Sequence, residues 1–234
     1  MHAILLAAGF GTRLKPLTEK IPKCLVPIGD QPILDIWMEN LSKVGVEKFL
    51  INTHYLAEQV ADYVEGSAYK KQVTLTFEPQ LLGTAGTILA NLNFFSNEDG
   101  LVVHADNYCL ADIAAFIRAH KNRPLECLMT MLVFRTDNPS GCGIVEVDSS
   151  GIVQGFHEKV GNPPGNLANG AIYILSQELI EMLGKQYSGF SEFTVDIIPN
   201  LVGRIFAYET REVFIDIGTP EAYKIANIIK SKRA

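Results

Sequence analysis

The first residues of the chain combine an apolar run with residue types that bind phosphate. The run from Ala3 to Ala8 leads directly into Gly9 and Gly11, and Arg13 and Lys23 follow. Glycines allow a ligand to approach the backbone closely, and successive backbone N–H groups can surround an anion. Arginine and lysine add charge-assisted hydrogen bonds to phosphate oxygens. The opening therefore predicts a phosphate-binding loop.

Two common phosphate motifs do not describe this loop. The dinucleotide fingerprint GxGxxG would need a glycine at position 14, where the chain has Leu14, and no GK[ST] triplet is present for a P-loop. A structural turn carrying solvated cations stays the alternative interpretation of the loop taken alone.

Two aspartates stand where apolar runs end. The run Leu101–Ala105 ends at Asp106, and Val213–Ile215 ends at Asp216. In an open α/β sheet, ligands bind outside the carboxyl ends of the strands, so these acids would meet the loop at one edge if the strands are parallel. Because Mg²⁺ is bound by one or two carboxylates together with substrate phosphates, the pair predicts a magnesium site. Each aspartate alone is equally well explained as a cap or turn residue.

The elements that must position these residues alternate between strands and helices. Over residues 1–125, short apolar runs such as KFLINT alternate with amphipathic segments such as PILDIWMENLSKVG. This alternation predicts a single-domain, doubly wound, mostly parallel α/β sheet with helices on both faces. After about residue 125 strands dominate, so we expect an extra β-rich segment in the C-terminal half. Thr219 and Pro220 begin a terminal helix as N-cap and first helical residue.

Composition limits the partners of the chain. A formal charge of −6 over 234 residues disfavours a nucleic-acid partner. The four cysteines form no CxxC pair or metal-ligand spacing. No apolar run approaches the ~18–20 residues of a membrane span, and the N-terminal run is too short for a signal peptide. We therefore expect a cytoplasmic protein without a membrane partner, and a homodimer is possible through the strand-rich half.

Taken together, the motifs resemble those of the sugar-1-phosphate nucleotidyltransferases, the NDP-sugar pyrophosphorylases. The similar segments follow the family's order over essentially the whole chain: LAAGFGTRLKPLT with IPKCLVPIGDQPIL (signature opening), EPQLLGTAGTI (nucleobase loop), VVHADN (first metal strand), FHEK with NLANGAIYI (sugar-binding segments) and FIDIGTPEAY (second metal strand). Within the family, the GTAG loop and the N-x-x-IYI segment are most similar to mannose-1-phosphate or heptose-1-phosphate guanylyltransferases.

The resemblance implies a Rossmann-like fold of GT-A type and the reaction of an NTP with a sugar 1-phosphate, which gives an NDP-sugar and pyrophosphate. The sugar-phosphate oxygen attacks the α-phosphorus in line with Mg²⁺ assistance, and no protein nucleophile is needed. The sequence agrees with this, because it contains neither a GxSxG elbow nor an HExxH motif.

The resemblance also assigns residues. Those for the nucleotide are Leu6, Ala8, Gly9, Gly11, Thr12, Arg13, Glu78, Gly83 and Thr84. Those for the sugar phosphate are Lys23, Asn107, Gly143, Glu158, Lys159 and Asn169. The catalytic set is Arg13, Lys23, Asp106 and Asp216, of which the two aspartates hold Mg²⁺. Residues 1–125 would form the nucleotide-binding half, and residues 126–234 the half that binds the sugar phosphate and supplies the second metal ligand.

Glu78 favours GTP as the nucleotide. A carboxylate accepts from both N1–H and N2–H₂ of guanine, whereas uracil and thymine suit an amide that donates and accepts. The sequence leaves CTP and UTP open, because a glutamate at a strand end is also explained as a solvent-exposed residue.

Two departures from the family pattern and several alternatives remain. Cys24 replaces the usual proline after the signature lysine, and the family's EKP triplet is EKV here. A cytidylyl- or uridylyltransferase acting on another sugar phosphate or on a non-sugar phosphomonoester would use the same residues. The remaining alternatives are a glycosyltransferase with a nucleotide-sugar donor and a non-catalytic regulatory subunit. Retention of Arg13, Lys23 and both aspartates favours catalysis.

Overall fold

The chain folds into two compact units, each assembled from separate stretches of sequence. The structure, a computed structural model, describes residues 1–186 and 189–233. The first unit comprises Ala3–Leu81, His104–Leu110 and Glu212–Ala234, and the second comprises Met1–His2, Leu82–Val103 and Ala111–Arg211. Neither unit is a continuous stretch of sequence.

Strands and helices alternate along much of the chain. The described strands are β1 (His2–Leu6), β2 (Pro27–Ile28), β3 (Gln31–Pro32), β4 (Lys48–Thr53), β5 (Val73–Phe77), β6 (Gly100–His104), β7 (Asn107–Cys109), β8 (Met129–Arg135), β9 (Gly143–Val147), β10 (Val153–Glu158), β11 (Leu167–Leu175), β12 (Ile205–Glu209) and β13 (Phe214–Asp216). The described α-helices are α1 (Ile33–Lys43), α2 (Ala57–Gly66), α3 (Gly83–Ala90), α4 (Ile113–Lys121), α5 (Gln177–Gln186) and α6 (Pro220–Ser231).

The first unit contains the strand order β1-β4-β5, in which β4 and β5 are parallel. β4 is almost entirely buried, as expected for an apolar run at the centre of a parallel sheet. Helix α1 buries Ile33, Trp37 and Leu41, which recur every four residues on one face. The helix ends before Gly45, whose φ of +87° suits a glycine at a helix C-terminus.

Trp37 connects α1 to the start of β7. Its indole Nε1 donates a hydrogen bond to the main-chain oxygen of Asn107 at 2.8 Å, and the ring is 2 % exposed. A buried carbonyl needs a partner, so this bond fixes the backbone immediately after Asp106. From its spacing on α1, Trp37 was predicted only to be a core residue. In the structure it also holds Asn107, the residue next to the predicted metal ligand Asp106.

Asp106 and Asp216 meet by a different route from the one considered in the sequence analysis. β13 pairs with β7 in antiparallel fashion, with Asp216 opposite Asn107. These two strands form a separate two-stranded sheet, so β13 does not lie in the sheet that contains β1, as the sequence argument required. The backbone N–H of Ile217 also donates to the main-chain oxygen of Asp106 at 3.2 Å. A short local ladder, and not the edge of a parallel sheet, therefore brings the two acids together.

The second unit holds the β-rich segment that was expected after residue 125. β9 lies between β10 and β11, while β11 also pairs with β6 and β8, and each of these pairs is antiparallel. β12 adds a parallel neighbour to β8. The core of this unit contains the buried rings of Phe95, Phe116, Tyr173 and Phe193.

The predicted α/β, Rossmann-like class of GT-A type is confirmed, with its extra β-rich segment. The terminal helix is also confirmed, because Ala222 N donates to the side-chain oxygen of Thr219 at 3.2 Å. Helix α5 and strand β12 went unrecognised in the sequence. The assignment of nucleotide binding to residues 1–125, and of the sugar phosphate and second metal ligand to residues 126–234, stays a prediction. Over residues 1–186 and 189–233, every helix is too short or too polar to traverse a lipid bilayer.

Candidate active site

The glycine loop follows β1 in the first unit, and its two glycines differ in what they require. Gly11 has a φ of +63°, and a Cβ there would lie 2.8 Å from Cγ2 of Thr18. The hydroxyl of Thr18 donates to the main-chain oxygen of Gly11 at 2.7 Å, which fixes this turn. A Cβ at Gly9 would meet no atom within 4 Å. Gly9 therefore leaves open space beside the backbone, whereas Gly11 is required by the turn.

The loop and the first aspartate are held side by side. The backbone N–H of Ala105 donates to the main-chain oxygen of Leu6 at 3.0 Å, so Asp106 follows directly beside the end of β1. A small concavity at this point is lined by residues of the loop and by two of the four predicted catalytic residues, Lys23 and Asp106. Its lining is Leu6, Ala7, Gly9, Lys23, Cys24 and Asp106. This concavity is the meeting point of loop, cation and carboxylate.

Lys23 lies between the two aspartates. Its Nζ is 2.6 Å from Oδ2 of Asp106 and 3.2 Å from Oδ1 of Asp216, and the residue is 7 % exposed. Nη2 of Arg13 lies 3.3 Å from the other carboxylate oxygen of Asp216. The four residues assigned to catalysis are thus one connected cluster of two acids and two bases.

Gly218 allows this cluster to be compact. A Cβ at position 218 would lie 2.8 Å from Nη2 of Arg13 and 2.9 Å from Oδ1 of Asp216. A glycine two residues after a strand-ending aspartate was a signal that the sequence analysis did not use.

Charge pairing sets the ionisation of the cluster. Burial alone lowers the pKa of Lys23, but the attraction of Asp106 and Asp216 outweighs it, and the pKa lies above its usual value. Burial likewise raises the pKa of Asp106, but Lys23 and His104 overcome this and the net shift is downward. Lys23 is therefore a cation and Asp106 an anion at neutral pH.

The two aspartates suit a divalent cation. Their oxygens converge on a single cationic atom, Nζ of Lys23, so the geometry already directs two carboxylates at one positive charge. Among residues 1–186 and 189–233 there is no group of three or more His, Cys, Asp or Glu side chains that could hold a metal. A two-carboxylate site completed by substrate phosphates is the pattern that Mg²⁺ uses.

Cys24 takes no part in nucleophilic chemistry. Its side chain is buried beside Lys23, and burial raises the pKa of the thiol to about 12. A thiol is nucleophilic only as the thiolate, so Cys24 is inert at neutral pH.

Glu78, the predicted base reader, lies at the end of β5 and is 3 % exposed. Nδ2 of Asn52 donates to its Oε1 at 2.9 Å, and Nδ1 of His54 lies 2.7 Å from its main-chain oxygen. Phe10, from the glycine loop, contacts the His54 ring edge-on at a centroid distance of 5.3 Å. Asn52 and Phe10 were not identified from the sequence.

Gly83 and Thr84, the other predicted base contacts, belong to the second unit. Gly83 has a φ of +74°, and a Cβ there would lie 2.3 Å from the main-chain oxygen of Ser191. The hydroxyl of Thr84 donates to Oε2 of Glu192 at 3.2 Å and accepts from Phe193 N at 2.8 Å. The start of α3 is therefore fixed onto the segment around residue 192.

Three predicted sugar-phosphate residues gather on the β9–β10 pair of the second unit. Gly143 lies opposite Glu158, and a Cβ at Gly143 would lie 2.6 Å from Oε2 of Glu158. Nζ of Lys159 is 3.3 Å from the other oxygen of that carboxylate. The absence of a side chain at Gly143 thus makes room for the acid.

Asn169 lies on the adjacent strand β11. Its Nδ2 donates to the Tyr173 hydroxyl at 2.7 Å, and its Oδ1 accepts from Ala171 N at 2.9 Å. Burial raises the pKa of Tyr173, and the charge of Glu158 adds to the rise. Tyr173, which the sequence analysis did not name, therefore belongs to the surroundings of the sugar-phosphate residues.

The remaining predicted residues surround the cluster or the loop. Ala8 is buried and Thr12 is exposed in the loop, and Asn107 is buried at the start of β7. The structure thus brings together the predicted phosphate, metal and base residues of the first unit, and gathers Gly143, Glu158 and Lys159, which were predicted to bind the sugar phosphate, in the second.

Comparison with known proteins gives a consistent result. The family model described as Nucleotidyl transferase matches residues 2–232. The heptose 1-phosphate guanylyltransferase of Campylobacter jejuni is 32 % identical over 224 residues, covering 95 % of this chain and 97 % of that protein. The mannose-1-phosphate guanylyltransferase of Mycobacterium tuberculosis is 28 % identical, and the chain spans 62 % of its length.

A solved structure agrees with these relatives. HddC from Yersinia pseudotuberculosis is 30 % identical with a TM-score of 0.81, covering 98 % of this chain and 100 % of that one. HddC has also been solved in complex with GMP-PN, where it is 29 % identical over the same coverage. From the loop, the acid pair and these similarities together, the chain belongs to the nucleotidyl transferase family and is an enzyme of that kind.

Proposed function

We propose that the protein transfers a guanylyl group from GTP to a sugar 1-phosphate of the mannose or heptose type, releasing pyrophosphate. The observation that carries this proposal is the Lys23 ammonium between the carboxylates of Asp106 and Asp216, beside the glycine loop. Such a cluster suits a reaction whose main obstacle is the repulsion between two polyanions.

Mg²⁺ is the proposed metal. Nucleotidyltransferases of this family generally use a divalent metal. Asp106 and Asp216 would hold it, and when bound it would neutralise charge on the α-phosphate.

The protein's own residues supply the rest of the chemistry. A phosphate oxygen of the sugar phosphate forms a bond to the α-phosphorus of GTP, and the bond from that phosphorus to the bridging oxygen breaks, releasing pyrophosphate. Exposed Arg13 stabilises negative charge on the departing pyrophosphate, and buried Lys23, whose Nζ contacts both aspartates, supplies its positive charge and its remaining donor to the phosphates. No residue forms a covalent intermediate.

GTP is favoured by two independent considerations. Glu78 presents a carboxylate, which accepts from the N1–H and N2–H₂ donors of guanine. The Campylobacter jejuni and Mycobacterium tuberculosis relatives are named guanylyltransferases, and HddC was solved with GMP-PN.

The sugar phosphate is assigned to Lys23, Asn107 and the cluster of Gly143, Glu158 and Lys159. A carboxylate such as Glu158 suits a pair of ring hydroxyls, and the exposed ammonium of Lys159 suits a phosphate. The chain covers nearly the full length of the heptose 1-phosphate enzyme, which makes heptose 1-phosphate the first acceptor to test.

The direct test is a substrate screen. The purified protein is incubated with Mg²⁺, each of the four NTPs and a panel of phosphomonoesters, and pyrophosphate release is measured. We expect the highest kcat/KM with GTP and either mannose or heptose 1-phosphate. A clear preference for another NTP, or for a phosphomonoester that is not a sugar 1-phosphate, would contradict the proposal.

Removing one carboxylate of the pair should abolish most of the activity. We expect Asp106→Asn and Asp216→Asn each to lower kcat about a hundredfold to a thousandfold, because each loses a negative ligand where positive charge must be held. Asp62→Asn, an exposed change of equal charge in the same unit, is the control and should keep wild-type turnover. Near wild-type turnover in both site variants would show that the acids do not hold the metal.

Alanine substitutions at the two loop glycines should have different effects, one on the stability of the fold and the other on GTP binding. Gly11→Ala forces a left-handed alanine against Thr18 and should cost about 1–2 kcal/mol of unfolding free energy in urea titrations. Gly9→Ala meets no protein atom, so its stability should stay within about 0.5 kcal/mol of wild type. Its KM for GTP should rise about tenfold, because the new methyl group occupies the space of a phosphate. An unchanged KM in Gly9→Ala would place the triphosphate elsewhere.

A further inference from the structure

We propose that Asn52 is a positioning residue that determines which kind of atom residue 78 presents to the nucleobase. The inference rests on the proposed function, in which Glu78 reads the base, and adds a residue that was not identified from the sequence. Asn52 lies on β4, is 4 % exposed, and touches both the glycine loop and Glu78.

The backbone fixes the orientation of the Asn52 amide. The N–H of Ala7 lies 2.7 Å from the side-chain oxygen Oδ1 of Asn52. A backbone N–H can only donate, so the amide atom that faces Ala7 must be the oxygen. The Nδ2 group is therefore the one directed towards Glu78, and rotating the amide would place two donors against each other.

This orientation in turn fixes the partner atom on residue 78. Nδ2 of Asn52 donates to Oε1 of Glu78 at 2.9 Å, and an amide NH₂ group cannot accept. The atom of residue 78 that faces Asn52 must therefore be an acceptor. Under the proposed function Oε2 is the oxygen that faces the base, and a carboxylate oxygen can accept more than one hydrogen bond.

The main chain of Glu78 also contacts residues of the segment that follows Asn52. Glu78 N donates to the main-chain oxygen of Thr53 at 2.8 Å, and Nδ1 of His54 lies 2.7 Å from the Glu78 oxygen. Residues 52–54 thus contact both the side chain and the main chain of Glu78. Ala7 also begins the phosphate loop. Through its two hydrogen bonds, Asn52 therefore fixes the position of the Glu78 carboxylate relative to that loop.

The role of Asn52 can be tested by replacing one acceptor of residue 78 with a donor. In Glu78→Gln, Asn52 still requires an acceptor, so the introduced glutamine must turn its Oε1 to Asn52 and its Nε2 to the base. That donor opposes the N1–H and N2–H₂ donors of guanine, and instead suits a carbonyl oxygen of uracil. The single change should therefore lower the use of GTP and favour UTP.

A second change should reverse the effect. In the double variant Asn52→Asp with Glu78→Gln, the introduced aspartate accepts from Ala7 N with one oxygen and from Nε2 of the introduced glutamine with the other. The glutamine then turns its Oε1 to the base and again offers an acceptor to guanine. The double variant exchanges the two functional groups without changing the net charge or the size of the pair, so it is a matched control for Glu78→Gln.

The experiment measures kcat/KM for GTP and UTP, with mannose or heptose 1-phosphate and Mg²⁺, in wild type, N52D, E78Q and N52D/E78Q. We expect E78Q to lower the GTP/UTP ratio at least a hundredfold. N52D places two carboxylates opposite each other and should weaken GTP use. N52D/E78Q should recover the GTP/UTP ratio to within about tenfold of wild type. Thermal unfolding of each variant shows whether it is folded.

The inference is overturned if folded N52D/E78Q has a GTP/UTP ratio no higher than that of E78Q. If position 52 had only a structural role, changing it would not restore base selection. If the double variant does not fold, N52S in the E78Q background replaces it. Serine both donates and accepts, so the GTP/UTP ratio should rise above that of E78Q, and an unchanged ratio overturns the inference. A wild type that prefers another NTP contradicts the choice of GTP instead, while the recovery from E78Q to N52D/E78Q still reads the role of Asn52.

Discussion

The structure depends on the attraction between one buried ammonium and two carboxylates that would otherwise repel each other. Lys23 Nζ lies 2.6 Å from Asp106 and 3.2 Å from Asp216. Two carboxylates directed at one point are unfavourable without a cation, and a buried lysine is unfavourable without anions. Each group therefore requires the others, and the two carboxylates keep one place in the fold where cations are held. A nucleotide and a sugar phosphate need such cations, namely Lys23, Arg13 and the metal that the acids would hold, in order to approach each other.

The fold brings these groups together through short, local contacts. Trp37 of α1 holds the backbone after Asp106, and the pairing of β7 with β13 places Asp216 opposite Asn107. Gly218 leaves space for the guanidinium of Arg13 beside Asp216. The acids are thus positioned by backbone hydrogen bonds and packing that do not depend on a ligand. Such preorganisation is what electrostatic catalysis requires, because the reaction then pays no cost for arranging the charges.

The sequence identified the candidate residues of the cluster more completely than it predicted how the fold brings them together. The glycine loop and both aspartates are local signals, because each follows an apolar run, and Lys23 was assigned from the resemblance of its segment to the family opening. The antiparallel pairing of β13 with β7 was not predictable, because it depends on three-residue strands with no periodicity to read. Asn52 was missed because a polar residue inside KFLINT shows its role only when Ala7 and Glu78 lie on either side of it. Tyr173 was missed for the same reason: its contact with Asn169 depends on a bulge in β11.

The most direct test of the central claim is a crystal structure with GTP and Mn²⁺, in which the anomalous signal of manganese locates the metal. The account predicts one strong anomalous peak within coordination distance of both Asp106 and Asp216, in contact with a phosphate of the nucleotide and with Lys23 Nζ displaced from at least one of the two carboxylates. A peak that touches neither aspartate, or a nucleotide bound with Lys23 still between two metal-free carboxylates, would contradict it.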